Sequence, residues 1–320
     1  MTEPRRALVL GAGGVLGAAW MTGALCALEQ VCGVRPAEAE VLLGTSAGSV
    51  LTAMLAAGLT PEHLRDHQRG LPLPPGLGAE GAGITWDHET GTGGWLPTRP
   101  APPPASPVLL AAALRQPGSV PWLTTLWAAM PRGRGDLGEL RRAVDDAVGV
   151  GRWAPRPGVQ VVATDFRTGR RVALDGTDPA CSLSEAVAAS CAAPIWYSPQ
   201  RVGGETFVDG GVSSVTSADL LAGRGLDEAY VLAPLAATRP DRPVERAARL
   251  ERRWRRRTTR RVLAEVRLLA ASGTRVVLVT PGPEDLAAMG ANLMDPRRRT
   301  AVMETALHTT EAALRRRVAP

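Results

Sequence analysis

Val41-Leu42-Leu43-Gly44-Thr45-Ser46-Ala47-Gly48-Ser49-Val50-Leu51 is the stretch that decides how this 320-residue chain is read. Three apolar residues run into a glycine-serine-glycine turn, and uninterrupted helix-forming residues continue to about Gly58. The pattern predicts a buried strand, a sharp turn and a helix. Ester hydrolysis by serine needs a hydroxyl exposed on such a turn, and glycines two positions to either side let the backbone bend and pack without a Cβ clash. The helix N-terminus adds electrostatic support for a nucleophile or an oxyanion. In a chain with 35 glycines, Gly44-x-Ser46-x-Gly48 has weight only through this strand-to-helix context.

The same scheme stands one unit upstream. Ala7 to Leu10 is an apolar run that stops at Gly11-Ala12-Gly13-Gly14-Val15-Leu16-Gly17, with helix-forming residues from Gly17 to Gln30. Clustered glycines expose backbone N–H groups beside a helix N-terminus, a site for negative charge. Two chemistries use such a site: a tetrahedral oxyanion beside Ser46, or a dinucleotide pyrophosphate. Gly11, Gly14 and Gly17 fit a GxxGxxG spacing, so an NAD(P)-binding oxidoreductase or epimerase is the competing reading. Against it, the stricter GxGxxG fails at Leu16, and all 37 basic residues are arginine, so no Tyr-x-x-x-Lys pair exists. The uncharged run from Ala7 to Leu28 has the hydropathy of a signal peptide or anchor. Its glycine cluster, and Leu25 before Cys26, favour a buried strand, turn and helix instead.

Further along, Thr60-Pro61-Glu62 reads as an N-cap with proline at the first helical position. From about Leu71 to Pro107 the chain dissolves into proline and glycine, with isolated Trp86 and Trp95, and reads either as a lid over the site or as a surface insertion. Helical material is expected from Leu109 to Val148, and strands at Val159 to Thr164 and Arg171 to Leu174. A small-residue helix follows from Ser184 to Ala193, then short strands near Trp196 to Ser198 and Thr206 to Val208. A helix around Ala218, a strand at Tyr230 to Leu232, a basic helix from about Arg242 to Ala271 and a strand at Arg275 to Thr280 precede two last helices. Strands alternating with helices predict one α/β domain over residues 1–320, layered around a mainly parallel sheet.

A serine nucleophile needs a base. His63 and His67 share a polar helix face, His88 lies in the proline-glycine loop and His308 sits mid-helix, so each reads as a surface or packing residue. Asp209-Gly210-Gly211, directly after Phe207-Val208, places a carboxylate at a strand end with glycines that permit close approach. Taken alone, an Asp-Gly-Gly is an ordinary turn.

Three blocks in order, the glycine-rich loop, Gly44-x-Ser46-x-Gly48 and Asp209-Gly210-Gly211, resemble the patatin-like phospholipase family. Ala163-Thr164-Asp165 with Thr168-Gly169, and Ser190-Cys191-Ala192-Ala193-Pro194, extend the likeness from about Ala7 to Leu220. The resemblance implies a three-layer α/β/α fold and a Ser-Asp dyad: Ser46 attacks the acyl carbonyl and Asp209 accepts its proton. Gly13 and Gly14 would stabilise the oxyanion, with Gly11, Gly17, Gly44, Gly48, Gly210 and Gly211 as supporting motif positions. It implies a lipid or acyl-ester substrate and no cofactor or metal. Leu16 stands where the family commonly has a basic residue, Ala12 where it often has glycine and Trp20 where histidine is frequent. These departures leave the dyad intact and the phospholipid head group open.

Charge is unevenly placed. Residues 1–235 hold 18 arginines against 22 acids, or −4, and residues 236–320 hold 19 against 9, or +10. Eleven arginines lie between Arg239 and Arg261, with Trp254 among them. This basic helix, about 242–271, reads either as a solvated cover on the sheet or as a peripheral contact for an anionic membrane. A membrane-binding protein with a vestigial site is thus a further alternative, and no recognised module points to nucleic acid. Cys26, Cys32, Cys181 and Cys191 form no CxxC pair, which fits a reducing cytoplasm.

Overall fold

Five strands of nearly continuous apolar sequence pair side by side in parallel. They are β1 (Arg6–Leu10), β2 (Val41–Thr45), β3 (Val159–Asp165), β7 (Glu228–Leu232) and β8 (Arg275–Val279), in the order β8-β7-β1-β2-β3. The computed structural model describes residues 4–87, 107–115, 125–126, 129–131, 133–239, 241 and 243–318. Antiparallel strands β4 (Arg171–Leu174), β5 (Gln200–Val202) and β6 (Glu205–Asp209) complete a mixed, mostly parallel sheet.

Both faces of the sheet are covered, which is why β1 and β2 carry no polar alternation. Ala7 and Val9 point into a cluster with Leu43, Ala218, Leu221 and Leu269. Leu8 and Leu10 point the other way, into a larger core with Leu16, Trp20, Leu51, Met54 and Val187. The first face is covered by α7 (Arg246–Ala271) and a 3-10 turn at Ala218–Leu221. The second is covered by α1 (Gly14–Cys32), α2 (Ala47–Ala56), α5 (Gly138–Val148), α6 (Leu183–Cys191) and α9 (Arg299–Val318). The fold is a three-layer α/β/α sandwich, as the family resemblance implies. Helices α3 (Pro61–Gln68), α4 (Pro107–Arg115) and α8 (Pro283–Met289) finish the inventory of described α-helices.

Helix α1 is long and apolar enough to cross a membrane by length and composition, and most of it is buried inside the protein. Its side chains Leu16, Trp20, Ala24 and Leu28 are fully enclosed. The apolar run from Ala7 to Leu28 is therefore a strand, a glycine turn and a core helix.

Several local expectations need correction. Trp196 to Ser198 is not a strand: the N–H groups of Trp196 and Tyr197 both donate to Ala193 O, and Ile195 sits at φ +77, so the chain turns there and β5 starts at Gln200. The basic helix begins at Arg246 rather than near Arg242, because Pro243 disfavours helix in the residue before it and Glu245 is extended. His67 is not on a polar surface; it is buried and stacks on Trp86 with ring centroids 4.0 Å apart. His63 caps its own helix, exchanging hydrogen bonds with Thr60. Of the proline-glycine segment, 71–87 is described, with a 3-10 turn at Ala79–Gly81 and the buried Trp86. Positions 88–106, including His88 and Trp95, lie outside the described residues, and with them most of the segment read as a lid.

Candidate active site

The sheet register brings the two motifs together. On β3, Val162 pairs with Thr45 of β2 on one edge and with Ala173 of β4 on the other. Ala163 pairs with Val172 of β4 and with Asp209 of β6. Both β2 and β6 therefore lie on the edge of β3 away from β4, and they meet head to head: Thr45 and Asp209 end against consecutive residues. Ser46, one residue past Thr45, has nowhere to go but against Asp209.

Ser46 Oγ donates to Asp209 Oδ2 at 2.6 Å, and Asp209 Oδ1 accepts the Gly211 N–H at 2.7 Å. Asp209 is enclosed, and burial raises its carboxyl to about 6, with the bonds from Ser46 and Gly211 pulling the other way. A raised carboxyl favours the protonated fold: its stabilising contribution is complete below the unfolded value near 3.8 and is lost as pH rises through about 6. A buried carboxylate that ionises near neutrality is what a general base requires.

Ser46 itself is strained. It bears a side chain at φ +52, ψ −121, a backbone state costing about 1–3 kcal/mol unless its surroundings impose it. Hydroxyls of neighbouring residues hold it there. The Ser46 N–H donates to Ser190 Oγ at 2.8 Å, and Ser190 Oγ in turn donates to Val162 O at 2.6 Å. Ser49 Oγ donates to Ser46 O at 2.6 Å. The turn also depends on Gly48, where a Cβ would lie 1.9 Å from Leu10 O, so β1 and α2 touch through a missing side chain. Gly44 is the penultimate residue of β2.

The glycine loop faces the same space. Gly11 and Ala12 spend their N–H groups on Leu232 O and Val215 O, and Gly17 spends its on Gly13 O. Gly13 and Gly14 lead into α1, and among the described residues their N–H groups donate no hydrogen bond. Gly14 is at φ +62, and a Cβ there would press to 2.8 Å from Met294 Sδ. Gly210 and Gly211 start the 3-10 turn that follows β6.

A cavity of about 600 Å³ joins these parts. Gly13, Gly14, Ser46, Asp209 and Gly211 lie on it, and much of the rest of its wall is apolar: Val212, Tyr197, Trp196, Leu235, Leu293 and Met294. His63, His67 and His308 are absent from it, leaving Asp209 as the basic group beside Ser46 among the described lining residues. Cys191 reaches the cavity too, with its thiol driven far up by burial. None of the four cysteines forms a disulfide.

Sequence reading misses four contributors. Ser190 is visible only as part of a matching block that assigns it no role, and nothing in the pattern singles out Ser49. Leu293 and Met294 carry no motif at all, yet Leu293 O accepts the Leu16 N–H at 3.0 Å and Met294 covers Gly14.

The model of the patatin-like phospholipase family matches residues 8–222. The chain belongs to this family. It is accordingly an ester-hydrolysing enzyme of the lipid acyl hydrolase kind. The matched region spans Ser46, Asp209 and both glycine turns, whereas Leu235, Trp254, Leu293 and Met294 of the cavity wall come from beyond it. Among solved structures, VipD from Legionella pneumophila is 15% identical with a TM-score of 0.44, covering 98% of this chain and 67% of that one. The type III effector protein ExoU is 16% identical with a TM-score of 0.35, covering 99% of this chain and 54% of that one. A search of curated proteins found no match.

Proposed function

We propose that the protein hydrolyses carboxylic esters of lipids through Ser46 and Asp209. The observation that carries this reading is the 2.6 Å hydrogen bond from Ser46 Oγ to a buried carboxylate, both groups lining a largely apolar cavity. Ser46 Oγ attacks the acyl carbonyl carbon as its proton passes to Asp209. The Gly13 and Gly14 N–H groups receive the developing oxyanion. Asp209 then returns the proton to the leaving alkoxide as the ester C–O bond breaks, giving acyl-Ser46 and a free alcohol. Water attacks this ester in the second half, losing its proton to Asp209, which protonates Ser46 Oγ as the fatty acid departs.

The wall of Leu235, Leu293, Met294 and Val212 suits an acyl chain rather than a polar acyl group. Leu16 is fully buried, so the position common for a basic residue in the family offers no charge to a phosphate. Esters with small or neutral head groups therefore fit this site at least as well as phospholipids. The dinucleotide alternative gains no support, because β2 runs directly into Ser46 where a ribose-binding acid is needed.

Ser46→Ala and Asp209→Asn are each expected to lower p-nitrophenyl acyl ester hydrolysis by about 10³-fold or more. Mass spectrometry of products from a lipid panel, wild type against Ser46→Ala, identifies the head group. Wild-type turnover in Asp209→Asn refutes the dyad.

A further inference from the structure

The arginine-rich helix α7 has two sides with different work. Arg252 and Arg255 point inward, nearly fully buried. Arg252 pairs with Asp241 and Glu251 and also donates to Leu286 O, and Arg255 pairs with Glu251 and donates to Pro234 O. These two fasten the helix to the body of the protein. Leu250, Arg253, Trp254, Arg257, Arg261 and Leu268 are all exposed. Their spacings from Leu250 are three, four, seven, eleven and eighteen residues, which place all six on one helical stripe about 27 Å long. Arg253 and Arg257 have no carboxylate partner among the described residues.

This stripe runs past the mouth of the catalytic cavity. Trp254, 47% exposed, lines the same cavity as Ser46, and so does Trp196, 40% exposed, from the turn that Ile195 holds at φ +77. Two half-wet indoles thus stand on the rim of an apolar cavity, one of them beside Arg253 and Arg257, which have no carboxylate partner among the described residues. Indoles partition to the boundary between lipid and water, and arginines near an anionic surface add about 1 kcal/mol each. Exposed leucines 68% and 58% open to solvent at Leu250 and Leu268 extend the apolar line along the stripe.

We infer that this outer stripe of α7, with Trp196, is the docking surface by which the enzyme sits on an anionic lipid bilayer, with the cavity mouth against the lipid. The inference rests on the lipid-ester reading only for what enters the cavity; the docking itself is independent of Ser46 chemistry. Helix α7 alone carries ten arginines against two acids, and this local excess supplies the charge complementary to an anionic surface. The bilayer would then deliver acyl chains directly between Trp196 and Trp254.

Co-sedimentation of the full chain carrying Ser46→Ala, with vesicles of phosphatidylglycerol and phosphatidylcholine against phosphatidylcholine alone, measures docking without turnover. Preference for the anionic vesicles, weakening as salt is raised, is expected. Arg253→Gln/Arg257→Gln should weaken binding about 30-fold, and Arg253→Glu/Arg257→Glu more, with circular dichroism unchanged. In the catalytically intact chain, the same pairs should leave hydrolysis of a soluble short-chain ester as it was and slow hydrolysis of vesicle lipid. Equal binding to both vesicle types, no binding to either, or indifference to both arginine pairs overturns the proposal. Tighter, arginine-dependent binding of duplex DNA than of vesicles also overturns it. Loss of soluble-ester hydrolysis in Ser46→Ala bears on the dyad alone, so the two readings fail separately.

Discussion

The turn after β1 and the turn after β2 are the same supersecondary unit built for opposite purposes. The strands are parallel neighbours, Leu10 pairs with Gly44, and each feeds a helix on the same face. The first turn exposes backbone: Gly13 and Gly14 offer N–H groups, and the space a side chain would fill is taken by Gly17 and Met294. The second exposes a side chain, at the cost of holding Ser46 at φ +52. Backbone donors need only a turn without side chains, whereas a side chain held in a strained turn needs holders. That is why hydroxyl holders, Ser190 and Ser49, gather on the second turn.

The comparison breaks most visibly at the first turn. Gly14→Ala forces a Cβ at φ +62 against Met294, so it should lower kcat for ester hydrolysis by about 10²-fold or more while Ser46 still accepts a fluorophosphonate slowly. A variant as active as wild type would show that this loop contributes no oxyanion donors. A smaller effect should follow at the second turn. Ser190→Ala leaves the Ser46 N–H unpaired in an enclosed site, which costs about 1–3 kcal/mol of stability by urea unfolding. Activity should drop about tenfold as the turn loosens, with KM little changed, because Ser190 positions the nucleophile and touches no substrate. Unaltered kcat in a destabilised Ser190→Ala protein would assign Ser190 to folding alone.

Much of the parallel half was legible because burial on both sheet faces writes itself as unbroken apolar runs, as in Val41 to Leu43. Gly48 was legible as a packing glycine and Asp209 as a strand-end carboxylate. What joins them is not: the head-to-head meeting of β2 and β6 on one edge of β3 is set by long-range pairing, Thr45 with Val162 and Ala163 with Asp209, which no local pattern encodes. The holders of Ser46 were hidden for the same reason, since Ser190 lies 144 positions away and its hydroxyl is one among many. Met294 and Leu293 form part of the cavity wall through shape, and shape has no motif. Trp196 to Ser198 reads as strand because its residues are β-prone, yet they lie in a turn where Ile195 is at φ +77.

If Asp209 takes the proton of Ser46, the rate of fluorophosphonate labelling of Ser46 must follow the ionisation of that carboxyl. With a carboxyl raised to about 6, wild-type labelling should climb as pH rises through that value, because only the ionised form accepts a proton, and level off above it. Asp209→Asn should label about 10³-fold more slowly, with no rise near pH 6. Labelling of Asp209→Asn at the wild-type rate, or attachment of the label at a residue other than Ser46, would contradict the account.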